Sequence, residues 1–554
     1  MNVIQGFPST SQDDYPLNIT TLIKHGARSF ASQEIITRKP DGSIYQYTFK
    51  DAYQRVMKLG NAIQQLGIKP GDRVGVLEWN THRHYELYFG IPGTGAVLLQ
   101  MNVRLTPKEL VYIANHSEAK LIFVDESLIP IAEAIQEEIK GIQGFIIMTD
   151  KDKKEINTKL RPVYYYEELL NENREEMDWP MIDEKSAYSA CYTSGTTGLP
   201  KGVYYSHRCI YLHSLQLAIS YELKNKDCCL LMTPMFHATG WGWPQVSTLV
   251  GTKLILPGRY SVEDFGPIVK IMEKEKVTFA CGATMVFMSM LEYIRNMGKK
   301  LDFSGMKIIS GASEPPPAMM NSYYELTGAE VVTAYGATET TPFVTVNKLK
   351  PWLENKLSRE EKRNLGRKHG YPVPGIDLII VDDQGKEVSH DGKSIGEILV
   401  RGPWITRSYY NAVGTEARFT NDGYWRSGDI GVMDEEKYLK MVDRIKDLIK
   451  SGGEWISSVD MENEIMRYPG VLEATVIGLP HPRWEERPMA LIVLREEFKG
   501  RVGAEDILAH LLKTFSKWQL PDRVEFLEEI PKTSVGKFNK KALKEKYKDV
   551  FTAL

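Results

Sequence analysis

Short continuous apolar runs alternate with helical stretches through the first 130 residues, and this alternation constrains the fold more than any other feature of the sequence. The segment 49–67 repeats apolar residues at the spacing of one helix face, and the apolar run VGVLEW (74–79) follows it. The same order returns in 105–125, where a helical stretch precedes the run LIFV. Helices that alternate with fully apolar strands predict an α/β fold of largely parallel sheets covered on both faces.

Two later sections depart from this pattern. Residues 375–402 contain apolar runs separated only by turn residues, which predicts a hairpin-rich β section because no helix fits between them. Beyond residue 443 we expect a small α+β unit with its own core, built from helices and strands at 459–468, 472–479, 489–494 and 504–515. We therefore predict a large N-terminal domain, residues 1–443, and a small mobile C-terminal domain, residues 444–554.

The composition excludes several classes of protein. The chain has 554 residues, of which 42% are hydrophobic and 25% charged, as in ordinary globular proteins and unlike disordered or fibrous ones. A formal net charge of -3 lacks the basic excess of a nucleic-acid-binding surface. Five cysteines without a CxxC pair argue against a disulfide framework or structural zinc, and they favour a reducing cytoplasm. We interpret Cys191, Cys228 and Cys229 as small buried hydrophobic residues.

The sequence gives no sign of a targeting or membrane-spanning segment. Its opening residues, MNVIQGFPSTSQDDYP, lack the basic and apolar regions of a signal peptide. The longest stretch without an acidic residue, Lys or Arg runs from Cys228 to Thr252, but its prolines, glycines and polar residues are unsuited to a spanning helix. We expect no integral membrane span, and we interpret this stretch as buried backbone around a site.

The strongest functional signal is the segment YTSGTTGLPKGV, residues 192–203. Its run of hydroxyl-bearing and glycine residues, 193–198, cannot build a core but offers backbone N–H groups and hydroxyls to phosphate oxygens, and Lys201 adds a positive charge. It is not the common P-loop, because Pro200 precedes Lys201 where the P-loop requires glycine. Strand-like runs on both sides argue against a flexible linker. The segment predicts a loop that binds nucleotide phosphates.

This loop and five later motifs resemble, in the same order, those of the adenylate-forming superfamily of acyl-CoA synthetases, luciferases and peptide-synthetase adenylation domains. The later motifs are TPMFHATGW (233–241), AYGATETTP (334–342), YWRSGDIG (424–431), DRIKDLIKSGGEWIS (443–457) and PKTSVGKF (531–538). The resemblance covers essentially the whole chain. Within the superfamily, YGATETTP, SGGEWIS and FSKWQLPD are most similar to bacterial and archaeal fatty-acyl-CoA synthetases.

The resemblance implies a ligase with two half-reactions and assigns roles to residues of each motif. A carboxylic acid and ATP, with Mg²⁺, would give an acyl-adenylate and pyrophosphate, and coenzyme A would then displace AMP. The implied catalytic residues are Lys537, Glu339, Thr338 and His237. The implied Mg²⁺ ligands are Thr196 and Glu339, and the implied acid-binding residues are His237, Trp241, Gly336 and Thr340. The implied residues for ATP or CoA are Thr193, Ser194, Gly195, Thr196, Thr197, Gly198, Lys201, Gly311, Ala312, Ser313, Ala334, Tyr335, Gly336, Asp429, Arg444, Gly452, Gly453 and Trp455.

Elementary chemistry agrees with several of these roles. The carboxylate and ATP repel each other, so loop amides, Lys201 and Mg²⁺ would have to offset the phosphate charge. A carboxylate such as that of Asp429 can accept hydrogen bonds from both hydroxyls of a ribose, and Arg444 would contact the same sugar. Lys537, a long cation on a glycine-containing loop, can stabilise charge that develops on phosphorus and the carboxylate. The alternative for Lys537 is an ordinary lysine of the basic C-terminal run.

The two half-reactions need different groups at one site, and the resemblance implies that the small domain rotates between them. Lys446 occupies the position of the hinge residue, and hinges are a few residues that absorb large backbone changes. After rotation, the segment KSGGEW (450–455) would replace the loop of Lys537. Its glycines would allow close approach to a pantetheine arm.

Other positions keep two interpretations. His237 either contacts the acid or is a hydrogen-bonded core residue, and Trp241 and Trp243 either line an acyl channel or belong to the core. Glu314 and the prolines 315–317 depart from the family pattern, and a buried acid beside the pocket would disfavour an apolar tail. The resemblance implies a medium- to long-chain fatty acid as substrate, and the departure at Glu314 keeps a short, hydroxylated or thioether acid as the alternative. A homodimer is a family-based expectation.

Overall fold

The computed structural model describes residues 4–193, 199–311, 313–452, 454–532 and 537–551. Through residue 206 the helices and strands follow in the order α1 Ile19–Ser29, β1 Glu34–Arg38, β2 Ile44–Thr48, α2 Phe49–Gln65, β3 Arg73–Leu77, α3 His82–Gly93, β4 Val97–Gln100, α4 Pro107–His116, β5 Ala119–Asp125, α5 Ile129–Ile135, β6 Gly144–Met148, β7 Val163–Tyr165, α6 Tyr166–Asn171, β8 Ala187–Tyr192 and β9 Gly202–Ser206. The next section contains α7 His207–Tyr221, β10 Cys228–Leu231, α8 Trp243–Val250, β11 Lys253–Leu256, α9 Gly266–Glu275, β12 Phe279–Ala283, α10 Thr284–Asn296, β13 Lys307–Gly311, α11 Pro317–Thr327, β14 Glu330–Thr333 and β15 Thr345–Val346.

The second half of the chain is richer in strands. It continues with α12 Pro351–Glu354, α13 Arg359–Gly366, β16 Tyr371–Pro372, β17 Asp377–Val381, β18 Gly396–Arg401, β19 Trp425–Met433 and β20 Leu439–Arg444. The last elements are β21 Ile449–Ser451, β22 Glu454–Ile456, α14 Ser458–Ile465, β23 Val471–His481, β24 Glu485–Leu494, α15 Ala504–Leu511, β25 Arg523–Phe526 and α16 Lys540–Tyr547.

Two seven-stranded sheets form the centre of the described chain, in the orders β14-β13-β12-β10-β11-β1-β2 and β7-β6-β5-β3-β4-β8-β9. Neighbouring strands are parallel except at one edge of each sheet, where β2 and β9 are antiparallel to their partners. All five residues of β6 are buried, as expected for a strand covered on both faces. The predicted α/β architecture with mostly parallel sheets is confirmed.

Local signals explain where the predicted helices of the first section begin. Thr48 caps α2 in a reciprocal pair with Asp51, and Thr106 caps α4 in the same way with Glu109. Each pair satisfies two backbone donors that the first turn of a helix leaves open. The apolar stripe of α2 is buried, so the helix face predicted from the sequence is the one that packs into the core.

The later sections match the predicted strand-rich pattern. Strands β17 to β20 form an antiparallel sheet, and β17–β18 is the hairpin expected near residues 375–402. The last five strands form a separate mixed sheet with α14, α15 and α16, as expected for an α+β unit. One bound differs, because α15 ends at Leu511 instead of continuing to Phe515. The sheet changes between Arg444 and Ile449, and the division at residue 443 stays a prediction.

The apolar stretch from Cys228 to Thr252 is mostly buried inside the molecule, where it forms β10, a tight turn and α8. Cys191, Cys228 and Cys229 are buried, which confirms their interpretation as packing residues, and Cys209 and Cys281 are buried as well. A search of the described residues finds no helix that is both long enough and apolar enough to cross a bilayer.

Candidate active site

The predicted phosphate loop connects the antiparallel strands β8 and β9. Tyr192 pairs with Gly202 across the hairpin, and the N–H of Thr193 donates to the carbonyl of Lys201 over 2.9 Å. These contacts close the base of the loop, as expected for a loop held between two strands. The predicted binding residues Ser194, Gly195, Thr196, Thr197 and Gly198 lie outside the described residues, as do Ala312 and Gly453.

Lys201 and Glu339 are brought together by a tyrosine that the sequence did not indicate. The ammonium of Lys201 lies 5.2 Å from the centre of the Tyr409 ring, and the Tyr409 hydroxyl donates to a carboxylate oxygen of Glu339 over 2.7 Å. The indole N–H of Trp425 donates to the same hydroxyl over 3.2 Å. Burial raises the pKa of Glu339, and the hydrogen bond from Tyr409 opposes that rise. The site therefore holds a partly desolvated carboxyl beside the base of the loop.

The segment around Glu339 is fixed by its backbone. The Tyr205 hydroxyl on β9 donates to the carbonyl of Thr338 over 2.7 Å. Thr340 is fully buried, and its hydroxyl accepts from the N–H of Ala337 over 2.8 Å. A Cβ added to Gly336 would lie 1.3 Å from the carbonyl oxygen of Pro342, so only glycine fits there. The hydroxyl of Thr340 thus contributes to the turn, and its contact with the acid stays a prediction.

Asp429 and Arg444 lie opposite each other on β19 and β20, as a direct register pair. The Arg444 Nε is 3.3 Å from one carboxylate oxygen of Asp429, and the Tyr335 hydroxyl donates to the other over 2.7 Å. Asp429 is only 7% exposed. Tyr335, Asp429 and Arg444, which were predicted from three different motifs, therefore form one polar cluster. The hydrogen bond between Tyr335 and Asp429 joins residues that are 94 positions apart in the sequence.

Lys537 belongs to the same cluster. Burial, followed by the nearby charge of Arg444, lowers the pKa of Lys537 to about 7, while the carboxylates of Asp429 and Glu339 act in the opposite direction. The structure therefore brings Lys537 among the residues of three other motifs. Lys446 lies in the turn between β20 and β21, where the chain passes from one sheet to the next.

His237 and Trp241 lie on a strained turn. Burial, followed by the charge of Lys537, lowers the pKa of His237 to about 4, so the imidazole is neutral at pH 7. The five residues after it, 238–242, all have φ between 43° and 76°. Left-handed backbone costs about 1–2 kcal/mol for each residue other than glycine, and such strain is concentrated at functional sites.

The two tryptophans of this turn differ in their surroundings. Trp243 is 1% exposed and packs against Tyr221 and Phe279, with ring centroids 5.9 Å apart in both pairs. The ring of Trp241 covers Gly311 at the carboxyl end of β13, where a Cβ would lie 2.6 Å from it. Trp243 is thus a core aromatic, whereas Trp241 lies at the sheet edge where ligands of parallel α/β sheets bind.

The backbone that follows Gly311 is held by hydrogen bonds from Thr284. The Thr284 hydroxyl donates to the carbonyl of Ser313 over 2.7 Å and lies 3.2 Å from that of Gly311. Ala334 follows the end of β14, next to Tyr335. The charged groups that most affect the pKa of Glu314 are Asp460 and Lys440. Burial and then Asp460 raise the pKa of Glu314 to about 8.

The last sheet docks on the rest of the chain through polar contacts. Asp443 accepts from the N–H and the hydroxyl of Ser458 over 2.8 and 2.6 Å, and Lys440 pairs with Asp460 over 2.8 Å. Arg495 also forms an ion pair with Glu292 on α10. Trp455 of the predicted CoA segment is 49% exposed. Its hairpin therefore lies at the surface, while Lys537 is at the cluster.

Sequence reasoning missed Tyr409, Tyr205 and Trp425. They hold Glu339, Thr338 and Lys201 in place. Tyr409 and Tyr205 lie outside the motifs, so the sequence carries no signal for them, whereas Trp425 lies within YWRSGDIG, of which only Asp429 was selected. Among the described residues, no group of three or more His, Cys, Asp or Glu could hold a metal ion by itself. Glu339 still fits a Mg²⁺ site, because Mg²⁺ usually takes one or two carboxylates and completes its shell with phosphates and water.

Comparisons with known proteins agree with this geometry. The model of the family described as AMP-binding enzyme matches residues 24–410, and that of the AMP-binding enzyme C-terminal domain matches residues 460–537. The chain is 43% identical to a long-chain-fatty-acid–CoA ligase of Thermus thermophilus, over 99% of this chain and 98% of the relative. It is 36% identical to a 3-methylmercaptopropionyl-CoA ligase of Ruegeria lacuscaerulensis, over 97% and 98%. The crystal structure of the anthranilate CoA ligase AuaEII in complex with anthranoyl-AMP has the same fold, with a TM-score of 0.84, 23% identity, and 98% and 100% coverage.

Proposed function

Because the chain belongs to the AMP-binding enzyme family, we propose that it is an AMP-forming acid–CoA ligase that activates a medium- to long-chain fatty acid. The observation that carries the proposal is the polar cluster of Lys537, Asp429, Arg444 and Glu339. These residues come from four separate motifs, and the fold brings their charges close enough to perturb one another. A binding protein without catalysis would not need a buried lysine at this place.

In the first half-reaction, an oxygen of the carboxylate attacks the α-phosphorus of ATP, and the bond to the β-phosphate oxygen breaks to release pyrophosphate. Asp429, with Arg444 beside it, would accept hydrogen bonds from the ribose hydroxyls. Lys201 at the base of the loop would face the departing phosphates. Lys537 would stabilise the charge that develops on phosphorus, an effect that typically changes a rate by about 100- to 1,000-fold.

Glu339 and Thr196 would hold Mg²⁺, and of these two residues Glu339 is the one that the structure describes. The ion, when bound, neutralises phosphate charge. Tyr409 fixes the orientation of the Glu339 carboxylate. Burial disfavours the charged form of this carboxylate, and a bound cation would offset that effect. The proposal further includes a cytoplasmic location and a homodimer.

In the second half-reaction, the thiol of CoA loses its proton and attacks the acyl carbon, and AMP leaves. Lys537 lies at the cluster while the hairpin with Gly452 and Trp455 is exposed, which supports an arrangement suited to the first step. We propose that rotation about Lys446 then exchanges the two segments.

The acid would bind next to His237 and Trp241. A neutral imidazole can approach a carboxylate without an ion pair, and Trp241 over Gly311 would limit how the acyl chain enters. The alternative substrate, a short, hydroxylated or thioether acid, is supported by the relative named for methylmercaptopropionate.

The experiment uses ATP labelled at the α-phosphate with a panel of acids from two to eighteen carbons. We expect labelled acyl-adenylate and pyrophosphate only when an acid is present, and labelled AMP with acyl-CoA only when CoA is added as well. Formation of ADP, or no turnover with any acid, would refute the proposal. A maximum at short or thioether acids would refute the fatty-acid assignment and favour the alternative.

A further inference from the structure

The guanidinium of Arg487 has all five of its N–H donors bonded and joins separate segments of the last sheet. Its Nε and Nη2 donate to the two carboxylate oxygens of Asp522 over 2.9 and 2.6 Å. Nη2 also donates to the carbonyl of Leu520 over 3.0 Å, and Nη1 donates to the carbonyl of Trp518 over 2.6 Å. The remaining N–H of Nη1 donates to the hydroxyl of Ser451 over 2.9 Å. Arg487 is 8% exposed, so these bonds are shielded from water.

Ser451 belongs to the hairpin of β21 and β22, whose strand pairing with the sheet is short, although Ile449 and Ile456 anchor it in the core. In the described chain, β21 pairs with β24 at one position, Ser451 opposite Glu485. The N–H of Gly452 donates to the carbonyl of Trp484 over 2.9 Å, and the ion pair of Lys450 with Glu485 is largely exposed. Exposed ion pairs contribute little to the free energy of folding. The buried bond from Arg487 therefore adds a rigid connection where the strand pairing is minimal.

We propose that Arg487 is a positioning residue for the CoA-dependent half-reaction, because it fixes the hairpin 449–456 relative to the sheet through Ser451. The inference rests on the proposed function, in which this hairpin replaces the Lys537 segment at the site. Placement matters because an error of about 1 Å in a reacting arrangement can cost about 100-fold in rate. Arg487 has no part in the first half-reaction, which uses Lys537.

Four variants separate positioning from general stability. Arg487→Lys keeps the charge but loses the fork that bonds Asp522 and Ser451 together. Arg487→Met removes all five bonds. Ser451→Ala removes only the bond to the hairpin and leaves the ion pair with Asp522, so it carries the test if Arg487→Met does not fold. Arg523→Met is the matched control, because Arg523 is an exposed arginine of the same sheet that pairs with Glu525 over 3.1 Å.

Each half-reaction is measured by itself, as acid-dependent exchange of pyrophosphate into ATP and as acyl transfer from supplied acyl-adenylate to CoA. For Ser451→Ala and Arg487→Lys we expect a rate of pyrophosphate exchange within about twofold of wild type. The rate of acyl transfer should fall about fivefold in Ser451→Ala and about tenfold in Arg487→Lys. Amide hydrogen exchange should become faster at 449–452, and the KM for CoA should rise. Arg523→Met should behave as wild type in all assays.

The inference is overturned if Ser451→Ala matches Arg523→Met in acyl transfer and amide exchange. It is also overturned if the variants lose both half-reactions in parallel, since that is the result of general destabilisation. A wild-type enzyme that lacks both half-reactions would instead refute the proposed function, and the inference would fall with it.

Discussion

Replacing Lys537 with methionine removes a buried charge from the cluster of Asp429, Arg444 and Glu339 while keeping a similar side-chain volume. Loss of one group that stabilises developing charge costs about 3–4 kcal/mol, so we expect adenylate formation to fall about 100- to 1,000-fold. Acyl transfer from supplied acyl-adenylate should change less than about threefold, because in the proposed mechanism Lys537 has left the site by then.

The pKa of Lys537 makes the same prediction testable by pH. With a pKa of about 7, the free enzyme holds the ammonium in about half of its molecules at pH 7. Because kcat/KM reports the free enzyme, kcat/KM for ATP in the exchange reaction should fall about fivefold between pH 7 and 8 and about tenfold between pH 8 and 9. Lys537→Arg should lack this fall, since a guanidinium stays charged throughout the range.

The matched control is Lys532→Met, which removes an exposed lysine of the same segment that pairs with Glu473 over 2.8 Å. It should leave both half-reactions unchanged. Equal losses of both half-reactions in Lys537→Met, or a flat profile of kcat/KM between pH 7 and 9 in the wild type, would refute the reasoning.

Three further perturbations test other parts of the structure. Asp429→Asn should raise the KM for ATP by about 10- to 100-fold in steady-state assays, because a charge-assisted bond to the ribose is lost. Burial raises the pKa of Glu78 well above its ordinary value, so the folded state binds more protons than the unfolded state and the stability of the wild type falls as pH rises. Glu78→Gln should remove this fall. In urea unfolding, the stability of the variant relative to the wild type should therefore be greater at pH 8 than at pH 5. Gly311→Ala would place a Cβ 2.6 Å from the ring of Trp241, and in the acid panel it should slow long acids more than short ones.

Patterns along the chain were sufficient for several features. The 3.6-residue periodicity of α2 and the fully apolar strands predicted the alternating architecture, because these signals act over a few neighbouring residues. The order of the motifs was enough for the family. Helix ends were less certain: α15 stops at Leu511, since fraying and local packing, which the periodicity does not record, decide the last turn.

Tertiary structure alone decided which candidate residues meet. Nothing in the sequence separates Trp241 from Trp243, yet the left-handed turn directs one over Gly311 and the other into the core. Likewise, the position of Glu314 near Asp460 depends on how the last sheet docks.

The same holds for the electrostatics of the site. Lys537 has a pKa of about 7 only because distant segments exclude water around it. In the same way, Glu339 accepts a hydrogen bond from Tyr409 only because the fold brings the two segments together. Residue types along the chain therefore determined the chemistry that is available to this protein. The packing of non-local segments determined where that chemistry is concentrated, because desolvation and Coulomb interactions depend on distance in space and not on separation in sequence.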